Sequence, residues 1–500
     1  MLYIQPPMRN QFLKAALSSP LSVLGILIAS SVVMRFFSFF PSVIDHDEST
    51  YIVIADAVRQ GQVYLRDVVD TKPVGIFILF ASFQTLFGKS IFVLRVITAV
   101  WVGITAWVIY LIHRRFSPNG PLPESNFGPV ASGLLYICMT SIFTFFGVSP
   151  NTELFFVLFT LVALYLILTH EGHGWFFMAG LMLGLGFMIK YVVLFDAVAF
   201  GLFFIWLSIR KKQPWFYWFS RCAVMVVGFA MPLTAVWMYY NRLGMHDTFM
   251  FFTFKLSGRY FLHPTWQAYL TFLLDGLLRY LPVTALFVFG LLRWKTTGKE
   301  VVVLCITWFV AVVMVILMPG KMFYHYFIQA MPPMCLIAGY FFDPARDYGI
   351  KARRFRKPVV VYTALSIVLL GNLLIQKHDY FDPPDEVKMT ADYLNSVLQP
   401  GDIIYTGNSH QILYHLTGRK SPTPYVHSSL LWTVENANAL GISREDEWNK
   451  ILSQKPRFII FGKPSKVRET FISKLGDTYR EVKAIGVETH VFERSDGVMG

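Results

Sequence analysis

The chain contains few charged residues and very little cysteine. Asp, Glu, Lys and Arg make up 15% of its 500 residues, whereas hydrophobic residues make up 55%. The four cysteines all lie in apolar segments, at Cys138, Cys222, Cys305 and Cys335. Neither a disulfide framework nor a thiolate metal site is therefore expected. The sequence also lacks a His-Glu-x-x-His motif, a P-loop and a nucleophile elbow. These are the signatures of zinc metalloproteases, P-loop NTPases and serine hydrolases of the α/β-hydrolase type.

Long polar stretches are also missing before residue 377, where apolar runs of about 20 residues follow one another. Such runs have the length needed to cross a hydrocarbon core of about 30 Å. We expect the first run to remain as a signal anchor, because it is too long for a cleavable signal and lacks a small-residue cleavage site. We predict about eleven transmembrane helices, at approximately 20–41, 90–113, 129–147, 153–169, 175–190, 191–209, 222–240, 270–292, 300–318, 324–342 and 358–376.

The formal net charge of +13 comes mainly from Lys and Arg in alternate connections between the apolar runs. This distribution is typical of cytoplasmic loops, so no nucleic-acid partner is expected. It predicts a multi-pass membrane protein with its N-terminus inside and its C-terminus outside; the plasma (inner) membrane is the expected location. The run 175–210 is too long for one span, and we predict two helices joined at Lys190-Tyr191, with Lys190 at the outer surface.

Two regions are expected outside the membrane. The first outer loop, 42–89, contains two amphipathic segments that predict interfacial helices against the membrane domain 1–376. Residues 377–500 alternate helical patterns with the buried strands 402–406 and 458–462, which predicts a small α/β domain and favours a parallel sheet. The predicted fold class is therefore an α-helical polytopic membrane protein with a small C-terminal α/β soluble domain.

The first outer loop begins with Asp45, His46, Asp47 and Glu48, followed by Tyr51. A carboxylate there can act as a general base on an acceptor hydroxyl, and Asp47 is the best candidate. The alternative is that these residues cap the following helix, which explains one or two of the four. They also form the only cluster suited to a divalent cation; a cation is possible, but no metal or cofactor is required.

Six other positions could bind an anion or support the reaction. Lys72 follows Asp67 and Asp70 and precedes a helix start, which suits a phosphate but also suits a simple balance of charge. Glu153 and Lys190 lie at predicted outer helix ends and could pair with each other. His325 lies between Tyr324 and Tyr326, and the outer loop 241–267 adds Arg259 and His263.

These motifs together resemble the polyprenyl-phosphate-sugar-dependent glycosyltransferases of the GT-C fold, which include protein O-mannosyltransferases and the aminoarabinose and galacturonic acid transferases of lipopolysaccharide. The resemblance is specific over 45–95 and looser to about 340. It rests on Asp47-Glu48-x-x-Tyr51, Thr71-Lys72-Pro73, Asn151-Thr152-Glu153, Gly184-x-Gly186-x-x-x-Lys190 and Tyr324-His325-Tyr326-x-x-Gln329. This chain has Val74 where relatives usually have a second proline.

The resemblance implies transfer of a sugar from a polyprenyl-phosphate donor to a hydroxyl of a lipid, glycan or protein, with inversion. Asp47 would be the base, with Glu48 beside it, and Lys72 would bind the donor phosphate with help from Lys190, His325 or Arg259. Asp45, His46, Tyr51, Asp67, Glu153, Tyr324 and Tyr326 would be acceptor or supporting residues.

Two other classes of function remain open at this point. A lipid-linked-glycan flippase or transporter would need polar residues distributed through its spans, whereas most spans here are apolar. An enzyme resembling O-antigen ligases or polymerases would also face outward, but those enzymes lack the acidic first loop.

Overall fold

The computed structural model describes residues 19–117, 126–142, 147–259, 264–408 and 410–495. Most of the described chain is α-helical. In chain order the helices before the C-terminal region are α1 Pro20–Met34, α2 His46–Arg59, α3 Gly75–Phe87, α4 Ile91–Phe116, α5 Phe127–Ile142, α6 Thr152–Thr169, α7 His173–Phe187, α8 Val193–Arg210, α9 Trp215–Arg242, α10 His246–Met250, α11 Leu256–Arg259, α12 Trp266–Arg279, α13 Leu281–Leu292, α14 Trp294–Thr297, α15 Lys299–Leu317, α16 Met331–Tyr340, α17 Ile350–Phe355 and α18 Pro358–Gln376.

The C-terminal region combines short helices with a four-stranded sheet. Its elements are α19 Glu386–Val397, β1 Ile404–Thr406, α20 Leu413–Leu416, α21 Ser428–Trp432, α22 Val434–Leu440, α23 Arg444–Ser453, β2 Phe458–Phe461, α24 Lys466–Leu475, β3 Tyr479–Ile485 and β4 Thr489–Arg494. Short 3₁₀ helices cover Phe36–Phe39, Tyr324–Ala330 and Gly476–Thr478, and π-helical turns cover Phe251–Lys255 and Lys377–Phe381.

Six helical stretches among the described residues are long and apolar enough to cross a membrane. Five are α4, α6, α8, α9 and α15, and the sixth is the stretch Val359–Val397, which includes most of α18. Four apolar helices are shorter, namely α1, α3, α5 and α7. The predicted apolar segments are thus helical, but several are shorter than a full span.

The predicted span 270–292 is wrong as a single helix. The structure divides it into α12 and α13, which are bent by 96° at Tyr280. Pro282 lies in the first turn of α13, where its missing N–H and its ring are tolerated, but it could not continue α12. The Thr284 hydroxyl donates to the Leu277 carbonyl at 2.9 Å and so satisfies one group that the break exposes.

The predicted joint at Lys190-Tyr191 is confirmed, because α7 ends at Phe187 and α8 begins at Val193. Glycines let α7 pack closely on α9. A Cβ atom on Gly180 would lie 2.0 Å from the Met225 carbonyl oxygen, and one on Gly228 would lie 2.2 Å from that of Phe177. Only glycine allows the two backbones this approach.

The structure divides into two compact units. The first contains the described residues of Met1–Phe37, Arg95–Tyr239 and Leu262–Gln376. The second contains those of Ser38–Leu94, Tyr240–Phe261 and Lys377–Gly500. The first outer loop therefore belongs to the same unit as the C-terminal region.

The sheet of the second unit is mixed, with strand order β1-β2-β4-β3. The expected parallel sheet is correct for β1 and β2 only, because β4 pairs antiparallel with both β2 and β3. The two last strands escaped prediction because β3 exposes most of its residues and lacks the buried pattern of β2. Side chains from β2, α23 and α24, including Phe461, Trp448 and Phe471, form the core under the sheet.

Candidate active site

The acidic cluster forms the start of α2. Asp45 is the N-cap, and its Oδ1 accepts a hydrogen bond from the Asp47 backbone N–H at 3.3 Å. The hydroxyls of Ser49 and Thr50 donate to the carbonyls of Asp45 and His46 one turn back. Because the first turn is fixed in this way, the Asp47 side chain has a defined direction and remains 19% exposed.

The loop between α2 and α3 positions Lys72. The Tyr64 hydroxyl lies 2.8 Å from the Asp70 carbonyl oxygen and 2.5 Å from that of Lys72. The Val63 N–H donates to Asp67, which also receives two hydrogen bonds of 2.9 Å from Arg66. These bonds hold the loop backbone on both sides of the turn, so Asp67 supports the loop that carries Lys72.

Lys72 and Asp47 form the centre of the site. The Lys72 Nζ lies 2.9 Å from Asp47 Oδ1 and 3.5 Å from Asp70 Oδ2. It also lies 5.3 Å from the ring centre of Tyr51, a distance at which an aromatic face attracts a cation. Tyr51 itself is buried, with edge-to-face contacts to Phe77 and Phe80 of α3. The lysine is thus held between two carboxylates and an aromatic ring.

A histidine from the C-terminal region completes the site. The His427 Nε2 lies 3.1 Å from Asp47 Oδ1, the same oxygen that Lys72 contacts. His427 is the N-cap of α21, and its Nδ1 accepts the Ser429 backbone N–H at 3.2 Å. This contact could not be predicted from sequence, because the two residues are 380 positions apart.

The electrostatics of Asp47 follow from these partners. Burial raises the pKa of the Asp47 carboxyl, but the charge of Lys72 and the hydrogen bonds from His427 and Lys72 outweigh burial and hold the pKa well below its ordinary value. Asp47 is therefore a carboxylate at neutral pH, and while it keeps both partners it is a weak proton acceptor.

Two further side chains of the C-terminal region hold α2 along its length. The Gln411 Nε2 donates to the His46 carbonyl at 2.9 Å and to the Thr50 hydroxyl at 3.2 Å. The His415 Nδ1 lies 2.5 Å from Asp56 Oδ2, and its Nε2 lies 3.0 Å from the Lys89 carbonyl. Segment 411–427 is thus attached to α2 at its first, second and last turns.

The other members of the acidic cluster have different positions. Glu48, which was predicted to act beside Asp47, is 1% exposed and therefore buried. Asp45 caps α2, as the alternative interpretation expected, and the His46 carbonyl accepts from Gln411. Among the described residues no group of three or more His, Cys, Asp or Glu is placed to hold a metal ion. The possible divalent cation at 45–48 stays a prediction.

A second charged cluster lies in the first unit, around Glu153 at the start of α6. Lys190 donates to Glu153 Oε1, and the His325 Nε2 lies 3.8 Å from the same oxygen. The Thr152 hydroxyl donates to Glu153 Oε2 at 3.0 Å, and the Lys190 Nζ lies 4.2 Å from the ring centre of Tyr326. The contact between Glu153 and Lys190 is one of the two alternatives for this lysine, and the other, a phosphate partner, stays a prediction.

The 3₁₀ helix that carries His325 is held by a buried carboxylate of α8. Asp196 accepts hydrogen bonds from the Trp308 indole at 2.5 Å and from the Gln329 amide at 2.7 Å. Asp196 is fully buried. Sequence reasoning missed it because it lies within an apolar run, although an acidic residue in such a run is itself a signal.

Tyr324 and Arg259 take positions outside both clusters. The Tyr324 ring packs on Phe272 and lies 4.2 Å from the Arg279 guanidinium. Arg259 lies on an exposed turn, 5.1 Å from the ring centre of Phe251. His263 lies outside the described residues.

Comparison with known proteins gives one family match. Residues 71–240, about a third of the chain, match the model of the family described as dolichyl-phosphate-mannose-protein mannosyltransferase. Lys72, Glu153 and Lys190 lie within the matched segment, whereas Asp47 and His427 lie outside it. No curated protein matches the chain by sequence.

Several solved structures are similar in fold. The apo crystal structure of ArnT from Cupriavidus metallidurans has a TM-score of 0.66 at 15% identity, covering 95% of this chain and 98% of that one. The structure of the same protein bound to undecaprenyl phosphate has a TM-score of 0.65 at 12% identity, covering 93% and 97%. The archaeal oligosaccharyltransferase AglB from Archaeoglobus fulgidus, in complex with an inhibitory peptide and a dolichol-phosphate, has a TM-score of 0.51 at 13% identity, covering 89% and 69%.

These comparisons confirm two predictions. The resemblance to GT-C glycosyltransferases is confirmed by the family match and by the fold of the ArnT structures. The fold class is confirmed, because a helical membrane protein with a small C-terminal sheet is what the structure contains. The family match indicates a glycosyltransferase.

Proposed function

We propose that the chain transfers a sugar from a polyprenyl-phosphate donor to a hydroxyl group of an acceptor on the outer face of the membrane. The acceptor would be a lipid, a glycan or a protein. The observation that carries this proposal is the contact of 2.9 Å between Lys72 and Asp47. The contact supports the proposal because it brings an ammonium group, which would suit a phosphate, beside a carboxylate, and because Lys72 lies within the family match.

Lys72 is suited to the donor phosphate because its present partners are carboxylates that a phosphate can replace. Its side chain is 17% exposed, so the ammonium is accessible to a ligand. The donor phosphate is a phosphodiester that carries one negative charge, as Asp47 does, and its charge grows as the leaving polyprenyl phosphate forms. A lysine that is partly shielded from water stabilises that growing charge. Donor binding would then draw Lys72 away from Asp47.

That exchange would also activate Asp47. The lysine is the strongest of the influences that lower the pKa of this carboxyl, so its departure raises the basicity of the carboxylate. A base is most effective when its pKa approaches the working pH. Donor binding and activation of the base would thus occur together. Without donor, Asp47 would remain a weak base toward an acceptor.

The reaction would be a single displacement. Asp47 accepts the proton of the acceptor hydroxyl as the acceptor oxygen attacks the anomeric carbon of the sugar. The bond from that carbon to the phosphate oxygen breaks, and its electron pair stays on the polyprenyl phosphate, whose charge Lys72 stabilises. One displacement inverts the anomeric configuration. The roles of Lys190, His325 and Arg259 at the donor phosphate stay predictions.

The proposal is tested with purified protein in detergent and a panel of synthetic polyprenyl-phosphate sugars. The expected result is release of polyprenyl phosphate together with a glycosylated acceptor of inverted anomeric configuration. Membrane lipid extracts and envelope glycans supply the acceptors. A protein that moves labelled donor across vesicle membranes without forming a product would be a flippase, and that result overturns the proposal.

A further inference from the structure

His427 presents a defined tautomer to Asp47. The backbone N–H of Ser429 can only donate, so the His427 Nδ1 that accepts it at 3.2 Å carries no proton. The Ser429 hydroxyl lies 2.8 Å from the same nitrogen. The proton of the neutral ring is therefore on Nε2, and Nε2–H donates to Asp47 Oδ1 at 3.1 Å.

We propose that His427 is a positioning residue of the reaction, which holds the Asp47 carboxylate by Oδ1 so that Oδ2 faces the acceptor hydroxyl. This inference rests on the proposed function and assigns a part in it to the C-terminal region. His427 acts through Asp47 and touches no reacting atom.

The geometry explains why a second donor is needed. Lys72 and His427 both contact Oδ1, and Oδ2 receives neither of them. Once the donor phosphate draws Lys72 away, His427 is the remaining side chain that fixes the carboxylate. A base that rotated freely at that moment would lose the alignment that proton transfer requires.

The position of His427 is itself fixed. Its ring is 12% exposed and caps α21, and the Val69 N–H donates to the Pro424 carbonyl at 2.8 Å, three residues before it. Gln411 and His415 hold the same segment on α2. The hydrogen bond to Asp47 is thus part of a rigid connection between two segments of one compact unit.

The charged and titratable groups around Asp47 determine how loss of the His427 hydrogen bond changes the pKa of Asp47. Lys72 faces it from the loop before α3, with Asp70 behind the lysine, and Asp45 and His46 precede it at the start of α2. With Lys72 bound to phosphate, the N–H of His427 is the group that keeps the carboxylate ionised. Its loss raises the pKa of Asp47, so activity is lost at a higher pH as the solution is acidified.

Two substitutions separate the cap from the contact. His427→Asn keeps an oxygen that can cap α21 but is too short to reach Asp47. His427→Gln places its amide N–H near the position of Nε2 and restores the donor. We expect the Asn variant to lower kcat about tenfold and to shift the acidic limb of its pH profile up by about one unit, with KM for the donor little changed. The Gln variant should recover most of both.

Infrared spectroscopy gives a second measurement that needs no turnover. The carboxylic-acid band of Asp47, identified by its absence in Asp47→Asn, should appear at higher pH in His427→Asn than in the wild type or in His427→Gln. Equal titration in all three proteins, or equal loss of activity in the Asn and Gln variants, overturns the inference and leaves the proposed function intact. A wild-type protein that transfers no sugar from any donor overturns the proposed function, even where the band shifts.

Discussion

At the scale of single residues, the site is a carboxylate with two donors on one oxygen. Lys72 and His427 keep Asp47 ionised, which prevents it from becoming a neutral acid, but they also make it a poor base at rest. Lys72 would resolve this conflict through two successive partners, Asp47 in the empty site and the phosphate in the loaded one.

Lys72→Gln tests this exchange. The variant keeps a side chain of similar length but has no charge for the phosphate, so transfer should fall about 10²–10³-fold. Its Asp47 should titrate at higher pH than in the wild type, because the lysine that lowers the pKa is gone. Steady-state kinetics against donor concentration provide the measurement. Arg59→Gln changes a cation at the opposite end of α2, outside the site, and normal kinetics are expected for it. A Lys72→Gln enzyme with wild-type kinetics would contradict the role of the lysine.

Asp56 offers a test of stability against pH. Burial raises the pKa of its carboxyl, but His415 and Lys89 outweigh burial and lower the pKa below its ordinary value. A carboxyl with a lower pKa in the folded protein stabilises it above the pKa of the unfolded chain, near pH 4, and this stabilisation is lost as the pH falls through the folded value.

Asp56→Asn should therefore lower the free energy of unfolding at pH 7 by about 1–3 kcal/mol, and the melting temperature should fall accordingly. The difference from the wild type should shrink as the pH falls below about 4. Thermal unfolding across a pH series in detergent measures both. The exposed pair of Asp379 and His378 is the matched control, and Asp379→Asn should leave the melting temperature unchanged at every pH. A pH-independent deficit in Asp56→Asn would show that the ion pair is not the cause.

At the scale of elements, the helices and the break at Lys190 were predictable from sequence, but the break at Tyr280 was not. Apolar runs and the N-cap at Asp45 were enough to place α2, α3 and the joint at Lys190. The 96° bend at Tyr280 was missed, because Leu281-Pro282 interrupts an apolar run whose composition on both sides is suited to one helix. The hairpin of β3 and β4 was missed because its outer strand is mostly exposed and polar.

The contact between α7 and α9 gives a prediction at this scale. Gly180→Ala adds a methyl group where the Met225 carbonyl oxygen would lie 2.0 Å away, so the helices must separate. Overpacking of this kind costs about 1–3 kcal/mol. Gly25→Ala in α1 is the matched control, because nothing lies within 4 Å of the added atom and a helical alanine gains about 0.5–1 kcal/mol over glycine. The melting temperature should be highest for Gly25→Ala, intermediate for the wild type and lowest for Gly180→Ala. The reverse order would contradict the packing.

At the scale of the whole molecule, only the part of the site that lies in the first outer loop was predicted from sequence. The residues of the first loop were visible because charges in an apolar chain are conspicuous and because their spacing resembles a known family. Gln411, His415 and His427 were invisible, since each is an ordinary polar residue in a polar region. Only the folded chain brings them to α2, and nothing in a single sequence records that contact.

The same scale defines what the C-terminal region contributes. Its sheet has a core of its own, but the segment before α21 is attached to the loop that carries Asp47 and Lys72. The first outer loop and segment 411–427 therefore form one functional assembly within the second unit.

The central claim is that Asp47 is the base for sugar transfer, and a single-turnover measurement with Asp47→Asn tests it most directly. Asparagine keeps the shape of aspartate and an acceptor oxygen for Lys72 and His427, so the variant should fold, insert and bind donor. With bound polyprenyl-phosphate sugar and excess acceptor, transfer should be about 10²–10⁴-fold slower than in the wild type. Transfer at the wild-type rate by a folded, donor-bound Asp47→Asn protein would contradict the account.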